Sequence, residues 1–159
     1  MLARRWFAVI GGLVLAAAAA LVAAPAAQAD TPTFCYQLTC DRTEPTTTAN
    51  YFSEKSCSAG AWTVLSALAF GGLLEQRWGP NCETNWTRFT PADSDEYGIY
   101  VVNMRNGSIA GAGSTEQPFY FSGFERAGWT SQVFALNMPA LSCVWDVTTN
   151  SKDVCVQSS

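Results

Sequence analysis

The sequence predicts an all-β fold, a small antiparallel β-sandwich or barrel stapled by disulfides. Three observations carry this expectation. From residue 61 onward, short runs rich in β-branched and aromatic side chains alternate with glycine, proline and asparagine turn signals. No stretch of useful length repeats apolar residues at the spacing of an amphipathic helix. All six cysteines, Cys35, Cys40, Cys57, Cys82, Cys143 and Cys155, lie beyond residue 30, an even count that suits disulfides in an oxidising compartment.

Residues 1–29 stand apart from this pattern. They open on MLARRW, continue through an alanine-dominated apolar run and reach the small-residue site Ala27-Gln28-Ala29, the three parts of a secretory signal peptide. A retained anchor is the rival reading, because the run is about long enough to span a bilayer, but an Ala-x-Ala site follows it instead of a charged stop. Cleavage before Asp30 leaves 130 of the 159 residues, enough for one domain. The expected location is therefore secreted and extracellular, with no membrane span in the mature form. The alanine-rich leader points to a bacterial source.

Residues 30–56 are rich in Thr, Pro and Asp and lack helical periodicity. Such a segment buries too little apolar surface to order itself, so it reads as an irregular N-terminal stretch tethered by disulfides. The β domain then occupies residues 57–159. Its first two strands are residues 61–70 and 73–78, turning at Gly71-Gly72, where both residues accept positive φ. Alanines and leucines would also tolerate a helix over 61–69, the main competitor to this assignment. Gly79-Pro80-Asn81 ends the second strand, and residues 83–89 form a third. Residues 97–104 lead through Asn106-Gly107, a type I′ signal, into a weak or bulged strand over 108–113. Runs at 119–124 and 129–136 follow.

Residues 140–157, ALSCVWDVTTNSKDVCVQ, fit a hairpin centred on Thr149. One register places Cys143 opposite Cys155, Val144 opposite Val154 and Asp146 opposite Lys152. Opposed residues of a non-hydrogen-bonded pair lie about 4.5 Å apart, within disulfide range, so Cys143 is expected to bond Cys155. Bonds from this pair to the N-terminal cysteines are the alternative. Cys35, Cys40, Cys57 and Cys82 then share two bonds in one of three connectivities.

Charge and composition exclude several classes of function. Loss of Arg4 and Arg5 with the leader leaves seven basic against thirteen acidic side chains, a formal charge of −6 that argues against nucleic acid. The chain contains no histidine, so nucleophiles that need an imidazole base are ruled out, as are most catalytic zinc sites. Zinc is the rival reading of the cysteines, but no Cys-x-x-Cys pair supports it, and neither a metal nor a cofactor is expected. Glycoside hydrolysis by an acid pair survives formally, but nothing selects two among Glu75, Glu83, Asp93, Asp95, Glu96, Glu116 and Glu125. The cluster Asp93, Asp95 and Glu96 has the oxygen density of a calcium loop without its spacing, and reads better as a solvated turn.

The densest chemistry lies in LLEQRWGPNCETNWTRF, residues 73–89. On a strand, Leu74, Gln76 and Trp78 share one face while Leu73, Glu75 and Arg77 share the other. In the plainer account Leu74 and Trp78 are core, with Glu75 and Arg77 as charged neighbours on the solvent side. In a functional account Trp78 and Trp86 are ring platforms, and Arg77 and Arg88 grip carboxylates with two prongs.

The order of these features resembles a family of small secreted proteins of unknown function found in actinobacteria and bacilli. Its central signature runs roughly Glu-Leu-Arg-Tyr-Ser-Pro-x-Cys, three residues, then Trp and Arg. Here Glu75-Gln76-Arg77-Trp78-Gly79-Pro80-Asn81-Cys82 and Trp86-Thr87-Arg88 fill it, departing at Gln76, Trp78 and Gly79. The resemblance implies an exported, disulfide-bonded β domain with no assigned catalytic residues, centred on Glu75, Arg77, Cys82, Trp86 and Arg88. The combined expectation is a non-catalytic extracellular binding module at or near the cell envelope, its partner a cell-wall polysaccharide or another secreted protein. An inhibitor of secreted hydrolases, presenting the glycine-flanked loop 110–117, is the alternative, and a carboxylate-based glycoside hydrolase a weaker one.

Overall fold

The structure, a computed structural model, describes residues 33–111, 119–123, 127–136 and 139–159. The expected leader, most of loop 110–117, Glu116 and Glu125 lie outside them. Among the described residues the fold is all-β, with strands β1 (Thr33–Cys35), β2 (Thr48–Asn50), β3 (Trp62–Ala69), β4 (Gly72–Gly79), β5 (Thr84–Thr90) and β6 (Glu96–Asn103). They continue as β7 (Ile109–Ala110), β8 (Phe119–Ser122), β9 (Gly128–Trp129), β10 (Val133–Phe134), β11 (Ala140–Asp146) and β12 (Val154–Gln157). No helix among these residues is long and apolar enough to cross a membrane.

Two antiparallel sheets pack face to face. The first has the order β10-β5-β4-β3, with β9 also on β5, and the second has the order β12-β11-β6-β7, with β8 also on β6. Residues that would tolerate a helix form β3, because pairing with β4 carries Ala67 opposite Leu74 on the face turned toward the second sheet. That tertiary gain outweighs a weak helix preference. The β3–β4 turn falls one residue earlier than expected. Ala69 pairs with Gly72, and Phe70 and Gly71 take the two positive-φ positions. Gly72 has a different task, since a Cβ there would lie 2.5 Å from Thr90 O and 2.7 Å from the Phe89 ring.

The turn after β6 also departs from expectation. Only Gly107 has positive φ, so the loop is not type I′; Asn103 O accepts from Gly107 N, and Asn106 Oδ1 accepts from Ser108 N. In the C-terminal hairpin, Cys143 faces Cys155 and Val144 faces Val154, with the cysteine Cα atoms 4.2 Å apart and their sulfurs bonded. The ladder stops at Val144, so Asp146 does not pair with Lys152. Its carboxylate instead accepts from the Thr149 backbone N and Oγ1 and caps the turn.

Between the sheets, one half of the interior is apolar. Ala69, Leu74, Phe89, Tyr97, Ile99, Phe121 and Val144 form its cluster. The other half mixes a smaller apolar cluster of Val101, Ala110, Val133 and Ala140 with buried polar groups: Gln76 donates to Ala140 O and Ser158 Oγ, and Thr87 Oγ1 donates to Tyr100 O. Tyr97 is fully buried, and its hydroxyl donates to Asp93 Oδ1 at 2.6 Å; Asp93 Oδ1 also accepts from Asp95 N. The acidic turn is thus partly engaged in holding a core tyrosine.

Burial, and then the Asp93 carboxylate, raise the Tyr97 phenol above its usual 10, and burial with Asp153 raises Tyr100 in the same direction. The unfolded chain releases these protons first, so the stability they contribute is complete below pH 10 and falls as pH rises further. Urea midpoints should therefore drop between pH 9 and 11.5, and Tyr97→Phe should flatten part of that drop. An unchanged slope in the variant would remove Tyr97 from the account.

The N-terminal segment is more ordered than its composition suggests. β1 pairs with β2 in parallel, and a 3-10 turn spans Gln37–Cys40. The segment runs along the β10 edge of the first sheet and reaches its outer face beside Gly79. Arg42 N donates to Gln132 O, Gln132 N donates to Thr43 O, and the Asp41 carboxylate accepts from Phe134 N. Bridge Cys35–Cys40 closes a loop within the segment, and Cys57–Cys82 attaches it to the turn between β4 and β5. Gly79 permits this approach, because a Cβ there would lie 2.4 Å from Cys57 O and 2.8 Å from the Trp86 ring. Gly79→Ala should destabilise by about 1–3 kcal/mol, as overpacking against backbone does. A thermal midpoint equal to that of the wild type would contradict this packing.

Candidate functional site

Cross-strand register builds the site on the outer face of the first sheet. Ser66 on β3, Glu75 on β4, Arg88 on β5 and Trp129 on β9 stand in one row across four strands. A neighbouring row carries Thr63, Arg77 and Trp86. Side chains in such rows lie within reach of one another.

Glu75 is the hub. Its side chain is only 6% exposed, against the expectation that it faces solvent, because Thr63, Arg77 and Arg88 of the same sheet close around its carboxylate. Glu75 Oε2 accepts from Arg88 Nε at 2.6 Å and lies 2.5 Å from Arg88 Nη2; Glu75 Oε1 accepts from Thr63 Oγ1 at 2.6 Å. Arg77 Nη1 donates to Thr63 Oγ1 at 2.7 Å and sits 3.7 Å from Glu75 Oε1, while Nη2 donates to Ala61 O. Two guanidiniums therefore share one carboxylate. Burial lowers the Arg77 pKa from its usual value, Arg88 lowers it further, and Glu75 opposes both. The cluster keeps a surplus positive charge on a chain whose formal net charge is negative.

Above the cluster lies a cleft of about 270 Å³. Arg77, Trp86 and Arg88 form its floor, Thr46 of the N-terminal segment forms one wall with Ser58 and Ala61 that follow it before β3, and Ala127 and Trp129 form the other. Arg88 is the accessible cation, with its side chain 39% exposed. Trp129 is 42% exposed and is pinned through Nε1, which donates to Glu44 Oε1 at 2.8 Å; that oxygen also accepts from Thr46 Oγ1. A fixed indole beside a guanidinium can stack an apolar ring face while the cation takes an anionic substituent.

The expected tryptophan platforms are relocated. Trp86 lies on the cleft floor and is buried, so it supports the site without presenting a free face. Trp78 points away from Arg77, as strand alternation requires, and lines a separate shallow cleft at the sheet rim with Trp62 and Asn85; it is half-buried rather than core. Trp129 escaped the sequence reading as a site residue. Its setting, Ala-Gly-Trp-Thr-Ser-Gln, lacks large apolar neighbours and is the available signal of exposure. A soluble quencher should accordingly reduce emission from Trp62 and Trp129 and leave Trp86 emission intact. Equal loss of quenching on Trp129→Phe and Trp86→Phe would overturn this placement.

A larger groove of about 740 Å³ is lined by Gln37, Leu38, Asn103, Arg105, Asn106, Phe134 and Leu136. Its amides are engaged internally: Asn103 Nδ2 donates to Phe134 O, and Asn103 Oδ1 accepts from Arg105 N. The smaller cleft, with its surplus cation and exposed indole, is therefore the candidate site. None of Glu83, Asp93, Asp95 and Glu96 lines it, and Glu75 is already held by Arg88 and Thr63, so among the described residues the cleft holds no carboxylate pair.

Fold and site together define the class, a disulfide-stapled antiparallel β-sandwich with an arginine and tryptophan cleft on one outer face. Compared with known proteins, the chain matches no family model, no curated protein and no solved structure.

Proposed function

We propose that this is a secreted bacterial binding module without catalytic activity, acting at or near the cell envelope, whose cleft seats a ring-bearing carboxylate such as an acidic sugar unit of a cell-wall polysaccharide. One observation carries the reading: Arg77 and Arg88 share the single carboxylate of Glu75 beneath the exposed ring of Trp129. An added carboxylate would neutralise the surplus charge, and Arg88 has the guanidinium geometry to receive it. The volume equals about nine waters at their liquid share, which suits one ring and not a length of polymer. The leader and the cysteine count support export, and the filled role of Glu75 supports binding over hydrolysis.

Partition of the purified protein onto isolated cell wall tests this. Wild-type protein should sediment with the wall and be displaced by a soluble uronic-acid oligosaccharide but not by its neutral counterpart. Arg88→Gln and Trp129→Ala should each weaken retention roughly tenfold or more, the loss of a charge-assisted contact or a stacking face. Retention unaffected by both substitutions would sink the assignment of this cleft.

A further inference from the structure

The two N-terminal bridges are stacked on each other. Cys35 Sγ lies 3.8 Å from Cys57 Sγ and 4.0 Å from Cys82 Sγ, and these three sulfurs all fall within 4.8 Å of one another. Cys40, bonded to Cys35, brings the fourth sulfur, and all four residues are buried together as a cluster. In a tetrahedral zinc tetrathiolate, Zn–S bonds near 2.3 Å place the sulfurs about 3.8 Å apart. The contacts between the two bridges already have that separation. Only the bonded pairs would need to open.

We infer that Cys35, Cys40, Cys57 and Cys82 form a latent soft-metal site that takes one Zn²⁺ as a tetrathiolate when both bridges are reduced. Each bridge accepts two electrons and two protons from a dithiol, which leaves as its own cyclic disulfide. The four thiols then release four protons to solvent as they bind the ion. The cluster would hold the N-terminal segment against the first sheet in either redox state, by covalent bonds when oxidised and by the metal when reduced. Spacing along the chain conceals the site, because its ligands come from the 3-10 turn, the end of β1, the loop after β2 and the β4–β5 turn. Cys143 and Cys155 lie on β11 and β12 of the other sheet and contribute nothing to it.

The test refolds dithiol-reduced full-length chain anaerobically with Co²⁺ as a spectroscopic probe and then titrates Zn²⁺. One Co²⁺ per chain should bind with sulfur-to-metal charge-transfer absorption and tetrahedral d–d bands, and one Zn²⁺ should displace it. Cys35→Ser, Cys40→Ser, Cys57→Ser and Cys82→Ser should each weaken binding by at least the roughly 10–100-fold seen when a mere supporting contact is lost. The double variant Cys143→Ser with Cys155→Ser should bind as the wild type does. Protease cleavage within residues 33–58 supplies an independent readout: the segment should resist cleavage when oxidised without metal and when reduced with Zn²⁺, and be cut when reduced without metal. A missing one-to-one complex, a spectrum that survives Cys57→Ser, or one lost in the Cys143 and Cys155 double variant would each overturn the proposal.

Discussion

Replacing Cys57 and Cys82 together by serine should remove about 3.5 kcal/mol of stability, the chain-entropy expectation for a bridge closing 25 residues. The bridges Cys143–Cys155 and Cys35–Cys40 span 12 and 5 residues, so their removal should cost less, in that order. The ranking is sharper than the magnitudes, because strain and residual structure in the unfolded chain scale all three. Loss of Cys57–Cys82 should also undo the cleft, since that bond attaches the wall formed by Thr46, Ser58 and Ala61 to the β4–β5 turn beside Trp86. Urea titration of the three double-serine variants under oxidising conditions gives the order. If the Cys35 and Cys40 variant proved the least stable, the anchor would have been misassigned.

Glu75→Gln should be the most damaging single substitution on the outer face, at about 2–3 kcal/mol. Removing one partner of a buried pair strands its counter-charge, an effect of about 3–5 kcal/mol when both are desolvated, and the partial exposure of Arg88 reduces it. Here two cations are left, Arg77 among them with its pKa already lowered by burial and by Arg88. Adding Arg88→Met to Glu75→Gln should recover much of the loss, because an apolar side chain of similar length needs no counter-ion. The same double variant should lose cell-wall retention. Stability and binding thus move in opposite directions, which a purely structural ion pair would not produce. Strict additivity of the two stability changes would show that the residues do not act on each other.

Much of the β domain was legible from local chemistry. In residues 143–155 three pairings agreed on one register, and the structure keeps that register wherever the ladder extends. It stops before Asp146 and Lys152 because Asp146 finds nearer donors in Thr149. Gly71-Gly72 signalled a turn correctly but not its phase, since the close pass of Gly72 over Thr90 competes for the second glycine. Glu75 was misjudged for a different reason. Strand alternation places it on the face opposite Leu74, but alternation cannot tell that Thr63, Arg77 and Arg88 will close around its carboxylate there. Trp129 shows the same gap: its partner Glu44 stands 85 residues away, and its strand is only two residues long.

By itself the sequence determined the all-β class, the order of the main strands and the hairpin that sets Cys143 against Cys155, because period-two alternation, turn residues and cross-strand pairing act over a few residues. How the four N-terminal sulfurs pair, where residues 33–58 dock along the β10 edge and beside Gly79, and that Arg88 and Trp129 share a cleft came from the tertiary structure alone. Those outcomes depend on contacts between segments far apart in the chain, where many pairings satisfy the same local rules and burial selects among them.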